Sequence, residues 1–302
     1  MRHSLWRWLP PLDLTRLRKT ERFPPPPPRP LTATAVCIAT KSRNLGDALI
    51  LTSLPRRLAA QYPELRIDTA LRAFNPVVFL GNPWVRRPLY LPARIYGDDA
   101  NLGHGHQIEL KERFFGLLPE ASPKPEIYLL PHEQAWALRE RRTADDRPIA
   151  LIHCWGHTRK KTLAPTAWQK IVAGLQPEAS IWQLGLEGQP PIAGCDRYFF
   201  LPPQPAFARK LFAIASQAQA FIGVDSGPMH VARAFELPSL IVVEQAGLAE
   251  RFVRRRQAPY FLYSNRTHAF LYEQNTHLSV VEQDEATIVE KAIQFGREAL
   301  RA

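Results

Sequence analysis

The amino-acid sequence predicts an α/β protein of two domains, each a parallel sheet covered by helices. Three observations carry this. Short apolar runs of strand length alternate with helical stretches through most of the chain, the pattern of βα units. The chain has 302 residues, enough for two cores of ordinary size. A polar, charged stretch at residues 139–148 (RERRTADDRP) interrupts the alternation and reads as the domain boundary. The expected division is a basic, proline-rich extension over residues 1–30, a first Rossmann-like domain over 31–144 and a second over 145–302.

Taken in order, residues 32–40 (TATAVCIAT) read as a buried strand and Asn44-Leu45-Gly46-Asp47 as the turn after it. Residues 48–61 read as a helix with Leu51, Leu54 and Leu58 on its apolar side, and 66–71 as a second strand. Between 74 and 128 the chain is rich in Pro, Gly and Arg, and only 108–117 reads as helix, followed by 132–142. Beyond the boundary, strands are expected at 149–154, 180–184, 220–224 and 239–243. Helices are expected at 165–175, 207–218, 228–235 and 286–300. No repeat of fixed period occurs.

The hydrophobic fraction of 45% and charged fraction of 22% are those of a soluble globular chain, and no apolar run is long enough to span a bilayer. The net charge of +11 suits an anionic membrane surface, a phosphorylated substrate or nucleic acid, or simple solubility. No helix-turn-helix, zinc-finger or RNP-like pattern supports nucleic acid as a partner. In residues 1–30, seven Arg or Lys stand beside Trp6, Trp8, Leu5 and Leu9, before the run Pro24 to Pro28. That composition fits either a membrane-surface contact on an extended spacer or an extension without a role. Cys37, Cys154 and Cys195 read as buried free thiols of a reducing compartment. His104 and His106 on a glycine loop make too few ligands for a metal site, and no metal is expected.

The clearest chemistry lies at Asp225-Ser226-Gly227-Pro228, where an apolar strand turns straight into a helix. The free N–H groups of Ser226, Gly227 and the first turn would face the crevice at the strand's carboxyl end, a place that favours phosphate. The Ser226 hydroxyl can add a bond. The same residues also suit an ordinary capped turn, and His230 in that helix reads equally as a ligand contact or a structural histidine. His153 and His157 flank another strand end and belong either to the cleft or to its loop.

The run DSGPMHVA at 225–232, with Gly223 and Val224 before it and Pro238 after it, resembles the signature of glycosyltransferase family 9, which contains the ADP-heptose:lipopolysaccharide heptosyltransferases. Asn44 to Leu49 with Thr52 and Pro55 resembles that family's N-terminal loop and helix. Lys161, seven residues before Trp168, resembles its K-x-W-P stretch, with Leu163 where the first tryptophan stands. Leu184-Gly185-Leu186-Glu187 resembles its nucleoside-side strand end. The family's Gly and Ser/Thr loop after residue 243 is replaced by Glu244-Gln245-Ala246-Gly247 and then Arg251, Arg254, Arg255 and Arg256.

The resemblance implies a GT-B architecture of two Rossmann-like domains facing across a cleft, with the last helix packing back on the first domain. It implies an inverting, metal-independent transferase with no cofactor, using a nucleotide-sugar donor, by default ADP-heptose. The acceptor would be a lipopolysaccharide or other cell-envelope glycan, and the setting cytoplasmic, peripheral to the membrane. In this reading Asp47 is the general base, whereas the residues alone favour a cap on the helix that begins at Ala48. Lys161, Ser226, Gly227 and His230 hold the donor phosphates, Asp225 shapes the turn and Glu187 holds the ribose. Alternatives are another nucleotide-sugar transferred to a protein or metabolite, or a non-catalytic nucleotide-sugar-binding member.

Overall fold

The computed structural model describes residues 34–40, 44–71, 75–90, 107–118, 120, 122–156, 162–186, 188–202, 204–243, 272, 274–280 and 283–302. The N-terminal extension, His104, His106, His157, Lys161, Glu187 and the arginines at 251–256 lie outside the described residues.

Two parallel sheets account for the described strands. The first has the order β1 (Ala35–Thr40), β2 (Arg66–Leu71), β3 (Arg87–Tyr90). Around it run α1 (Leu45–Leu49), α2 (Leu54–Gln61), a 3₁₀ turn (Asn75–Phe79) and α3 (Gln107–Phe114). After α4 (Pro131–Arg142) comes the second sheet, built from β4 (Ile149–His153), β5 (Ser180–Gly185), β6 (Arg197–Phe200), β7 (Ala220–Val224), β8 (Ser239–Val243) and β9 (Thr276–Ser279). Its spatial order is β6-β5-β4-β7-β8-β9, so the winding reverses between β4 and β7, the doubly wound Rossmann arrangement. Its helices are α5 (Pro165–Leu175), α6 (Pro205–Ala215), α7 (Gly227–Ala234) and α8 (Glu285–Arg301).

Every residue of β4, β5, β7 and β8 is buried, because helices cover both faces of the sheet. Proline occupies the first or second position of α2, α4, α5, α6 and α7, where its missing N–H leaves no carbonyl unpaired.

The single helix expected over 48–61 is two. Pro55 has no N–H to offer the Leu51 carbonyl, which accepts from Leu54 N instead, in a tight turn. The Thr52 hydroxyl bonds the Leu49 carbonyl at 2.7 Å and closes α1. The short strands β3, β6 and β9 were not expected from the sequence.

One core lies between the sheets and joins the two halves. Ile38, Leu49, Leu58 and Phe79 of the first half are continuous with Leu151, Phe212, Phe221 and Met229 of the second. The other core fills the opposite face of the second sheet, with Trp168, Ile171, Ile222 and Val224. The last helix takes a different course from the one expected. Instead of returning to the first domain, α8 buries Ile288, Val289 and Ala292 in that second core. The reason is steric: a Cβ on Gly174 would meet Ile293 at 2.5 Å, and one on Gly296 would meet Leu175 at 2.6 Å. Each glycine makes room for a side chain of the facing helix, which lets α8 and α5 pack closely.

Arg209 of α6 fastens the halves together. Its side chain is 7% exposed, and its Nε and Nη2 donate to the two carboxylate oxygens of Glu133 at 2.7 and 2.5 Å. The remaining donors reach the carbonyls of Val77, Leu80 and Tyr128 at 3.2, 3.3 and 2.6 Å. Glu133 also accepts from the Leu130 N–H at 2.8 Å, completing the start of α4. Burial alone would raise the Glu133 carboxyl, but the bonds from Arg209 and Leu130 outweigh it and hold it below its ordinary value. Farther along α4, Arg197 of β6 donates to Glu140 at 2.7 Å, so α4 is tied to elements of the second sheet.

Removing one partner of such a pair leaves an uncompensated buried charge. Arg209→Leu is therefore expected to lower stability by about 3–5 kcal/mol, measured by chemical denaturation.

Candidate functional site

The site forms where the second sheet reverses its winding. His153 is the last residue of β4 and stands in register with Gly223 of β7, and the chain leaves β7 through Asp225 and Ser226 into α7. The carboxyl ends of β4 and β7 therefore border one crevice, the ligand position in open α/β sheets.

Ser226 is the N-cap of α7 in an extended conformation, yet its side chain makes no bond to its own helix. Its hydroxyl donates to the Val224 carbonyl at 3.0 Å and lies 3.0 Å from Nδ1 of His153. With the Ser226 proton placed on the Val224 carbonyl, its oxygen accepts from the imidazole, and His153 is assigned the Nδ1–H tautomer. In the structure this hydroxyl is bonded within the protein, to the Val224 carbonyl and to His153. The turn presents backbone instead, and Pro228 contributes no N–H.

The first half meets this turn through α1. A Cβ on Gly46 would fall 2.9 Å from Cδ2 and 3.0 Å from Nε2 of His230, and one on Gly227 would touch Leu45 at 3.5 Å. The Asn44–Asp47 motif and the Asp225–Gly227 motif, about 180 residues apart in the chain, are packed backbone against backbone. Asp47 lies inside the first turn of α1, not ahead of the helix, and Asn44 is the N-cap residue. The Asp47 carboxylate accepts from Asn44 Nδ2 at 3.2 Å and sits at a helix N-terminus, which favours negative charge.

His230 is buried beneath this contact. Its Nδ1 is 2.6 Å from the Tyr272 hydroxyl, and the two rings meet edge to face. Burial pushes both His153 and His230 down to about 4, so both are neutral at physiological pH. The guanidinium of Arg233 lies over the Tyr272 ring and bonds the Ser122 hydroxyl at 2.6 Å.

The structure thus brings Gly46, the neighbour of Asp47, against Gly227 and His230, at the turn that carries Asp225 and Ser226. Lys161 and Glu187, expected on the same side, lie outside the described residues. Two contributors escaped sequence reasoning. Tyr272 carries no local signal, and the link between His153 and Ser226 joins residues that no motif connects. The only hint was a histidine placed at a strand end.

Two consequences are measurable. Gly46→Ala forces a methyl against an imidazole held by Tyr272, and should cost about 1–3 kcal/mol in thermal or chemical unfolding. The two histidines bind protons less readily folded than unfolded, so their contribution is complete above their ordinary value near 6.5. Stability should fall as pH drops from 6.5 towards 4, and substituting His153 by Asn should flatten that fall in a pH-dependent unfolding series.

Residues 205–242, which run from α6 into β8, match the family model "Glycosyltransferase family 9 (heptosyltransferase)". No curated protein matches the chain. Among solved structures, the chain is similar to a family 9 glycosyl transferase from Veillonella parvula DSM 2008, with TM-score 0.64 and 11% identity, covering 88% of this chain and 97% of that one. It is similar to E. coli ADP-heptose lps heptosyltransferase II, with TM-score 0.61 and 12% identity over 87% and 98% of the two chains. It is also similar to E. coli heptosyltransferase WaaC with ADP, with TM-score 0.56 and 12% identity over 87% and 99%. No described helix is long and apolar enough to cross a membrane. The chain has the GT-B fold shared with these enzymes, and its α6–β8 segment carries the sequence pattern of glycosyltransferase family 9.

Proposed function

We propose that the protein is an inverting, metal-independent glycosyltransferase that moves a sugar from a nucleoside-diphosphate donor to a cell-envelope glycan at the cytoplasmic membrane surface. Heptose from ADP-heptose is the first donor to test. The observation that supports this reading is the contact of Gly46, the neighbour of Asp47, with His230 and Gly227 of the helix-terminal turn at the sheet's switch point. One motif suits a proton acceptor and the other a diphosphate, and a sugar transferase needs both at one centre. The similar structures include one named as an ADP-heptose lps heptosyltransferase and one bound to ADP.

The reaction is a single displacement. The acceptor hydroxyl oxygen attacks the anomeric carbon while the bond from that carbon to the phosphate oxygen breaks. The bonding pair leaves with the nucleoside diphosphate, and the hydroxyl proton passes to Asp47. The N–H groups of the Ser226-Gly227 turn and the α7 N-terminus stabilise the departing phosphate, aided by Lys161, while Glu187 holds the ribose. A neutral His230 supports the turn by shape and hydrogen bonding, without adding charge. The positive charge of the chain suits an anionic surface around the acceptor.

The test is direct. In a thermal-shift screen of ADP, GDP, UDP and CDP, ADP should raise the melting temperature most, and Lys161→Ala should lose the shift. Asp47→Asn should retain nucleotide binding but lower kcat about 10²–10⁴-fold in an assay of nucleoside diphosphate release. Turnover unaffected by Asp47→Asn would remove the carboxylate from the mechanism.

A further inference from the structure

A side-chain amide loses water when it is buried, so it persists in a core only where hydrogen bonds replace that water. Asn75 is such a group: it is fully buried at the start of the 3₁₀ turn, beside Val77, Val78 and Phe79. A leucine would fill a similar volume there without that cost. The amide instead reaches across 31 positions of the chain, where its Nδ2 donates to the Asn44 carbonyl at 3.3 Å. The same carbonyl accepts from Ala48 N at 3.4 Å, the bond that starts α1.

Asn44 departs from the usual behaviour of its position. An asparagine at an N-cap ordinarily turns its side-chain oxygen onto the first-turn N–H groups of its helix. Here the side chain makes no cap bond, and its Nδ2 donates to Oδ2 of Asp47 at 3.2 Å. The two amides therefore form a chain, from Asn75 to the Asn44 backbone and from the Asn44 side chain to the Asp47 carboxylate. Its inner end is firm. All five residues of the 3₁₀ turn are buried, and Arg209 bonds the carbonyls of Val77 and Leu80 just beyond Asn75. At its outer end Asn44 is exposed and extended, and a helix of five residues has little rigidity of its own.

We propose that Asn75 is a positioning residue for Asp47, holding the Asn44 backbone at the start of α1 and, through the Asn44 amide, fixing the direction of the carboxylate. The assignment rests on the reading above of Asp47 as the proton acceptor in sugar transfer. Asn75 touches no substrate in this account and acts only through Asn44. A misdirected base slows the chemical step, because rate depends steeply on the placement of reacting groups. Nucleotide binding does not pass through this chain of bonds. A loss confined to turnover therefore separates positioning from a general loss of structure.

The experiment uses the full chain and two readouts: ADP release from ADP-heptose with lipopolysaccharide as acceptor, and the dissociation constant for ADP by calorimetry. Asn75→Leu, which removes the amide at nearly constant volume, should lower kcat about three- to tenfold, the scale of one hydrogen bond. ADP binding should stay within about twofold of wild type. In an Asp47→Asn background the same substitution should cost less than about twofold, because no base is left to position. Asn44→Ala cuts the next link at an exposed residue, and combining it with Asn75→Leu should lose no more than about twofold beyond the larger single effect. Unchanged turnover, equal loss in the two Asp47 backgrounds, or ADP binding lost in step with kcat overturns the assignment. Should Asn75→Leu fail to fold, Asn75→Ala takes its place. If the wild-type protein turns over a different nucleotide-sugar, the cycle is run with that donor. A wild type inactive on every nucleotide-sugar brings down the sugar-transfer reading, and this assignment falls with it.

Discussion

The fixed relation of the two halves depends on one guanidinium. Arg209 of α6 uses its planar set of donors on the Glu133 carboxylate and three main-chain carbonyls, two from the 3₁₀ turn and its end and one from the segment leading into α4. Such a charge is stable out of water only when every direction is answered, and here each one is. A lysine could supply the charge but not the fork. The same α6 leads through β7 into the Asp225–Gly227 turn, while the 3₁₀ turn that Arg209 grips follows β2 of the first sheet. One side chain therefore sets where the first sheet stands relative to the ligand crevice of the second.

From that arrangement the site follows with few parts. Main chain at the start of α7, the Asp47 carboxylate in the first turn of α1 and two buried, neutral histidines make up the candidate site. Rigid elements carry all of them, so little has to be ordered when a substrate arrives. The aromatic and cationic layer of Tyr272, Arg233 and Ser122 backs the histidine from below and connects it to the segment leading into α4.

Much of this was legible in the sequence, for reasons that can be named. The inner strands β4, β5, β7 and β8 are covered on both faces and so read as continuous apolar runs. The missed strands β3, β6 and β9 are four residues long and lie at sheet ends among the described residues. There one side of the ladder is open, and polar residues such as Arg87, Arg197 and His277 break the apolar run. The Asp225-Ser226-Gly227 turn was visible because strand, turn and helix start are contiguous. The His153–Ser226 bond was not, since it spans 73 positions and depends on strand order. The apolar face of α8 announced that the helix packs, but not against what. That choice lay with Gly174 and Gly296, whose missing side chains mean nothing until they face a partner.

The meeting of Gly46 with Gly227 and His230 bears on how this chain can change over generations. Where two halves touch through side chains, a larger residue on one side can be absorbed by a smaller one opposite. Here a methyl on Gly46 would meet the His230 ring at 2.9 Å, and that ring is held by Tyr272, so growth at 46 has no ready compensation across the gap unless 230 changes with it. Drift at 46 and at 227–230 is therefore bound together, and the two motifs should vary as a unit although they sit in different domains. A descendant that widened this gap would have to rebuild both loops at once.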